Sequence, residues 1–192
     1  MARVGEVIAN PGTGEQIEFL QTRATTNGEL LEFELTLDAF GRVGGLPHQH
    51  PATERVDVLE GRLSCRFAGG RRELGPGDSV VVPPNASHFL FNETAERVRA
   101  RVAARPAYDF ETFFETVFAL AERRRYRAWR GLPSPLHAAL LSHTYDVYAP
   151  LVPVSLQRPA LAVLARIARK RGYEARPQEL PADADATSYA RS

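Results

Sequence analysis

Two periods divide this chain. Up to about Ala107 apolar residues fall mostly on alternate positions, the repeat of a strand with one face turned to a core. In LEFELTL (31–37), Leu31, Phe33, Leu35 and Leu37 share one face, with Glu32, Glu34 and Thr36 on the other. VRARV (98–102) sets Val98, Ala100 and Val102 against Arg99 and Arg101. The pattern predicts further short strands near 55–59, 62–67, 71–74, 79–82 and 88–92. Gly-Gly in AGGR (68–71) suits a tight hairpin that needs positive φ, and GPGD (75–78) marks another turn. Short strands joined by turns, with no helix between them, predict a sandwich or small barrel.

From Asp109 the repeat lengthens to that of a helix. DFETFFETVFALAERRR opens on Asp109 as an N-cap candidate and lines up Phe110, Phe113, Phe114, Val117 and Leu120. A second helix is predicted in SPLHAALLSHTYDVY, capped by Ser134 with Pro135 in its first turn. A third is predicted in RPALAVLARIARKRG, from Pro159 to Gly172. These helices are too apolar to stand alone, so they are expected to pack on the β region or on a second subunit. The resulting division is a β domain at 1–108, a helical extension at 109–175 and a flexible tail at 176–192, where apolar residues become sparse.

Composition narrows the field only slightly. At 192 residues the chain is long enough for one well-buried domain with an appendage. With 24 basic and 23 acidic side chains the net charge is +1, so no global field selects nucleic acid or an anionic membrane. Cys65 is the single cysteine, which excludes an internal disulfide, and it alternates with Leu63 and Phe67 as a packing residue would. The start of the sequence shows no secretory apolar core, and no run is long enough to span a bilayer, so a cytoplasmic home is expected. The triplets at Asn85 and Asn92 that match a glycosylation signal are therefore read as chance.

The chemistry concentrates in HQHPATERVDVLEG (48–61). His48, His50 and Glu54 are separated by even numbers, which in an extended chain puts them on one face, with Pro51 a possible local disturbance. A further ligand should come from another strand, and His88 in SHFLFN, on one face with Leu90 and Asn92, is the candidate. Three neutral imidazoles and one carboxylate suit a divalent first-row transition ion. A lone buried histidine is usually structural; this grouping is not a lone histidine.

These residues carry a resemblance to the cupin family. His48, His50, Glu54 and Gly61 match its first motif, with the opening glycine one place off (Gly41, with Gly44 and Gly45 nearby). Gly77, Pro83, His88 and Asn92 match its second, with Asn85 where the motif has glycine. The resemblance implies a jelly-roll β-barrel (a double-stranded β-helix) over 1–108, four metal ligands inside it, and frequently a homodimer. It does not imply one reaction, since cupins include dioxygenases, isomerases, epimerases, cyclases, sugar-binding regulators and storage proteins.

The expected function is a mononuclear metalloenzyme acting on a small organic molecule in the barrel, with Fe, Mn, Zn or Ni at one ion per chain. Iron would favour dioxygenase-type chemistry and the other ions isomerase or cyclase chemistry. The alternative is a non-catalytic cupin that binds a small ligand as sensor or carrier. No general base can be named from the residues. The arginine-rich ERRRYRAWR (122–130) reads as a solvated helix end, not a nucleic-acid patch, and the basic third helix as a packing element, not a membrane-surface anchor. His137 and His143, six apart on one helix, do not share a face, so no second metal site is expected there. A homodimer is expected because Phe89 and Phe91, opposite His88, need cover.

Overall fold

The alternation that marks Leu31–Leu37 in the sequence becomes an unbroken register against residues 98–104. The computed structural model describes residues 2–67, 69–122, 133–150 and 152–177. Among these described residues nine strands precede three helices: β1 (Val7–Asn10), β2 (Glu15–Gln21), β3 (Leu31–Leu37), β4 (Thr53–Glu60), β5 (Leu63–Phe67), β6 (Gly70–Leu74), β7 (Ser79–Val82), β8 (His88–Phe91) and β9 (Val98–Arg105), then α1 (Phe110–Glu122), α2 (Pro135–Tyr145) and α3 (Val154–Lys170). All strand pairs are antiparallel. One sheet runs β1-β2-β3-β9-β4-β7 and the other β6-β5-β8. This is the jelly-roll arrangement, with one difference from a full barrel. The two sheets share one core but their hydrogen bonds do not close into a ring.

The core between the sheets takes the inner face of each strand. Phe33, Leu35, Val102 and Ala100 of the large sheet meet Leu63, Cys65, Leu74 and Leu90 of the small one. Cys65 is fully buried, as its alternation with Leu63 suggested, and burial pushes its thiol up to about 12, with the Glu54 charge adding to the effect. It is a packing residue and not a nucleophile. Between strands 3 and 4, residues 42–50 run beside β8. Arg42 bridges to Phe91, and His48 bridges to His88.

Phe89 and Phe91 stack on one another on the outer side of β8, with the guanidinium groups of Arg66 and Arg71 over the Phe91 ring. Much of the cover that this face needs thus comes from cations of the same sheet. The apolar side chains left exposed lie elsewhere, among them Leu156, Val163, Leu164 and Ile167 of α3.

The helices differ from their sequence patterns in detail. The Asp109 carboxylate is paired with Arg23 at 2.6 Å. Ser134 caps α2 as expected, accepting from the His137 N–H. Helix α3 starts at Val154, so Pro159 lies inside it and not at its first turn. At its end Gly172 takes φ +78°, and the Tyr173 N–H reaches the Ala168 carbonyl, which closes the helix with a glycine cap. Phe110 and Phe118 of α1 enter the β core. Leu120 joins Leu140, Leu141, Tyr145, Ala165 and Ala168 in a second core among the helices. The chain at Glu174 and Ala175 is pinned by His137, Thr116 and Tyr145. Residues 123–130 of the arginine-rich segment and 178–192 of the expected tail lie outside the described residues. Among those described, no helix is long and apolar enough to cross a membrane.

Gly61, which closes the first motif, has φ +76°, and a Cβ there would sit 2.6 Å from the Arg97 carbonyl oxygen. Gly28 has φ +85° with nothing near it. Gly28→Ala should therefore cost only backbone strain, about 1 kcal/mol, and Gly61→Ala about 2 kcal/mol or more because fixed backbone must move. Denaturant melts of the two variants check this; equal losses would contradict it.

Candidate metal centre

His48 and His88 come from opposite sides of the same backbone bridge. Each donates its N–H to the other's carbonyl, at 3.0 and 2.9 Å. Their rings are fixed in the same way. Nδ1 of His48 lies 3.0 Å from the Leu46 carbonyl oxygen, and Nδ1 of His88 lies 3.0 Å from that of Ala86. A carbonyl can only accept, so both Nδ1 atoms carry the proton and both Nε2 atoms keep a free lone pair. The proline turn that precedes β8 clamps the third histidine, since the Asn85 N–H donates to the His50 carbonyl at 2.7 Å. Asn85 does this with φ +61°, which explains how it stands in for glycine.

The three rings converge. Their candidate ligand nitrogens all lie within 4.8 Å of one another, and among the described residues theirs is the one such group. Glu54, on the inner face of β4 with Val56 and Val58, puts Oε2 3.2 Å from His50 Nε2 and 3.9 Å from His88 Nε2. Two ligands at right angles on one ion would stand about 3 Å apart, given metal–nitrogen bonds of about 2.1 Å. The His50 distance is close to that spacing; His88 Nε2 stands farther off, and Glu54 lies outside the three-imidazole group. One orphaned atom fits a shared ion: His88 Nε2 is buried with no hydrogen-bond partner among the described residues. A buried polar atom left unsatisfied is costly unless something fills its position. Helix α1 contributes cover, with the Phe110 ring edge-on to His50 at 5.0 Å.

Electrostatics keep two of the donors, His48 and Glu54, in ligand form. Burial, with the neighbouring His88, holds His48 down at about 3, so it is neutral at any ordinary pH. Burial alone would raise Glu54, but its hydrogen bond with His50 and the electrostatic influence of the neighbouring imidazoles outweigh that and hold it at about 2. Neutral imidazole and ionised carboxylate are the forms that bind a cation. The ends of the motifs do structural work. Asn92 donates to the Asp38 and Glu96 carbonyls and accepts from Thr94, which ties the loop before β9 to the loop after β3.

Residues 36–103 match the protein-family model of the Cupin domain. That segment is a cupin domain. Among solved structures, an RmlC-like cupin from Shewanella frigidimarina NCIMB 400 is 24% identical, over 56% of this chain and 88% of its own, with a TM-score of 0.48. A sugar phosphate isomerase of the cupin superfamily from Silicibacter pomeroyi DSS-3 is 22% identical, over 54% and 69%, with a TM-score of 0.44. The polyketide cyclase RemF from Streptomyces resistomycificus is 22% identical, over 55% and 79%, with a TM-score of 0.46. No curated protein matches the chain. A shared cupin fold does not carry a shared reaction.

The interior opens into a cavity of about 430 Å³. His48, His50 and Glu54 line it, together with Phe110 and Phe114 of α1 and Leu141 of α2. The helical extension thus forms part of the wall around the histidines. Glu15 also lines this cavity, and the sequence reading did not single it out. Its signal was present: in EQIEFLQ the alternation of Ile17 and Phe19, extended back by two, puts Glu15 on the inner face. It is buried, and burial pushes its carboxyl up to about 7 despite hydrogen bonds from Thr13 and Gly44.

These shifts give a pH dependence with a definite sign. His48 is neutral when folded and protonates near 6.5 when unfolded, so it makes the folded state lose stability as pH falls from 6.5 to about 3. Glu54 acts in the same direction from 4.5 to about 2. Glu15 opposes them, because its folded carboxyl keeps a proton between 4.5 and about 7 that the unfolded chain releases. In metal-free protein His48→Gln should flatten the acid limb of the stability curve relative to wild type, read by urea titrations at stepped pH. An unchanged slope would contradict a neutral, buried His48.

Proposed function

We propose that this cupin is a mononuclear metal-dependent enzyme acting on a small organic molecule held inside the barrel. The observation that carries this reading is the group of three imidazoles, with nitrogens within 4.8 Å, two of which (His48 and His50) line a cavity of about 430 Å³. His48, His50, Glu54 and His88 would hold one divalent transition ion per chain. Iron bound there would supply dioxygenase-type chemistry, and zinc, manganese or nickel a Lewis acid for isomerisation or cyclisation.

The protein's own contribution is legible in its contacts. The Leu46 and Ala86 carbonyls hold two imidazoles in one tautomer. Glu54 lowers the charge of the site. Phe110, Phe114 and Phe118 make an apolar wall that excludes water and binds the carbon skeleton of a substrate. A sensor or carrier would need the same cavity, so turnover must separate the two readings.

We also propose a homodimer. The exposed Leu156, Val163, Leu164 and Ile167 of α3 support it as apolar surface that a second copy would cover. Light scattering should give about twice 21.2 kDa, and a monomer at micromolar concentration would contradict it.

Elemental analysis of protein purified without a histidine tag should find close to one transition ion per chain. His50→Ala and His88→Ala should lose it, and Glu54→Gln should bind it about ten- to a hundredfold more weakly. Full occupancy in both histidine variants would contradict the proposed ligand set. Turnover or oxygen uptake with candidate substrates then distinguishes an enzyme from a binding protein.

A further inference from the structure

Glu15 stands at the start of β2 and is almost fully buried, at 3% exposure. Its two oxygens have different surroundings. Oε2 accepts the Thr13 hydroxyl at 2.6 Å and the Gly44 N–H at 3.1 Å. Oε1 is buried with no partner among the described residues, on a side chain that lines the cavity. Gly44 in turn packs beside His48, since a Cβ placed on it would meet the His48 ring at 3.7 Å. The carboxyl is thus one residue's backbone away from the imidazole cluster.

We propose that Glu15 is the second polar anchor of this cavity, taking through Oε1 the hydroxyl of an apolar, ring-bearing small molecule whose other end faces the imidazoles. This deepens the reading above and rests on it for the cavity's being a small-molecule site. The chemical class follows from the walls. Phe33, Phe110, Phe114 and Phe118 with Leu35 and Leu90 offer flat apolar surface and no hydrogen bonds from their side chains. Polar recognition is therefore left to a few groups, and Glu15 has an unsatisfied atom among them. A purely structural role, stapling the β1–β2 turn to residue 44, uses Oε2 alone and leaves Oε1 without a function.

The chemistry of the carboxyl fits both directions of proton movement. With Oε2 already accepting two hydrogen bonds, a proton on Glu15 sits on Oε1 and points to the ligand. Once that proton is lost, Oε1 accepts from the ligand hydroxyl. Burial brings the two forms close together at neutral pH, the condition that suits a general acid or base. One proton can pass from the ligand hydroxyl to Oε1 and return to the same molecule at another atom, with no further reactant needed.

The test uses the full chain, metal-loaded and after chelation, with 2-naphthol and 2-methoxynaphthalene as probes at about pH 8, where the carboxyl is mostly ionised and the naphthol is not. Calorimetry on wild type should show 2-naphthol binding about tenfold more tightly than the ether in both metal states, the worth of a hydrogen bond to a charged acceptor. Glu15→Gln keeps an oxygen for Thr13 and Gly44 and turns its NH2 to the cavity. It should melt near wild type and lose or invert the preference. A preference that survives in Glu15→Gln, or is absent in wild type, overturns the proposal. If it survives there and needs the metal, the hydroxyl is read at the imidazole end, and the metal reading stands alone. If no metal is ever bound but the preference follows Glu15, the metal reading falls and this one stands. A second readout needs no folded variant. In zinc-loaded protein carrying 13C-labelled glutamate, 2-naphthol should move the Glu15 carboxyl resonance and the ether should not; equal shifts overturn the proposal.

Discussion

The site depends on one backbone pairing, the reciprocal hydrogen bonds between His48 and His88. They bring the two histidine-bearing motifs, forty residues apart, to one point. They also set the direction of both side chains. With each Nδ1 committed to a carbonyl two residues upstream, both rings have their Nε2 atoms free for a ligand. The rest of the segment is clamped around that pair. The Asn85 N–H holds the His50 carbonyl from one side, and Gln49 pairs with Tyr148 of the helical extension from the other. The imidazoles are thus preorganised by main chain, which costs little to hold in place when a ligand binds.

That second clamp links the helices to the chemistry. Tyr148, Phe110, Phe114 and Leu141 share the cavity wall with His48 and His50. The same helices have their own core, anchored by Leu140 and Ala165. An apolar cavity closed by a packed helical layer has a low effective dielectric. Charge–charge effects inside it are stronger than at a surface, which is why Glu54 and Glu15, both carboxyls in one cavity, are driven in opposite directions. Glu54 is surrounded by imidazoles and stays ionised. Glu15 meets only a hydroxyl and one backbone N–H, and burial prevails.

Much of this was legible in the sequence, for identifiable reasons. The strands with strict alternation, Leu31–Leu37 and Val98–Arg105, pair with each other across their whole shared length. His48, His50, Glu54 and His88 stood out because histidine at even spacing has few other uses. Asn85 was readable as a positive-φ position. β1, with four residues, is too short to show a period, and β2, though it alternates, begins its inner face with a glutamate that reads as polar, so Glu15 went unnoticed. Pro159 misplaced the start of α3, because proline favours a first turn while α3 tolerates it a turn and a half in. The outward Phe91 looked as though it needed a partner, but Arg66 and Arg71 lie over it from the same sheet. A linear pattern shows which faces are apolar; it does not show which long side chains fold across them.

The central claim is that three imidazoles and one carboxylate surround a single ion. X-ray absorption at the edge of the metal carried by the isolated protein tests it most directly. The account predicts scattering from three imidazole rings and one carboxylate oxygen, with light-atom distances of about 2.0–2.2 Å and no sulfur. A shell of oxygens without imidazole, or a thiolate from Cys65, would contradict it.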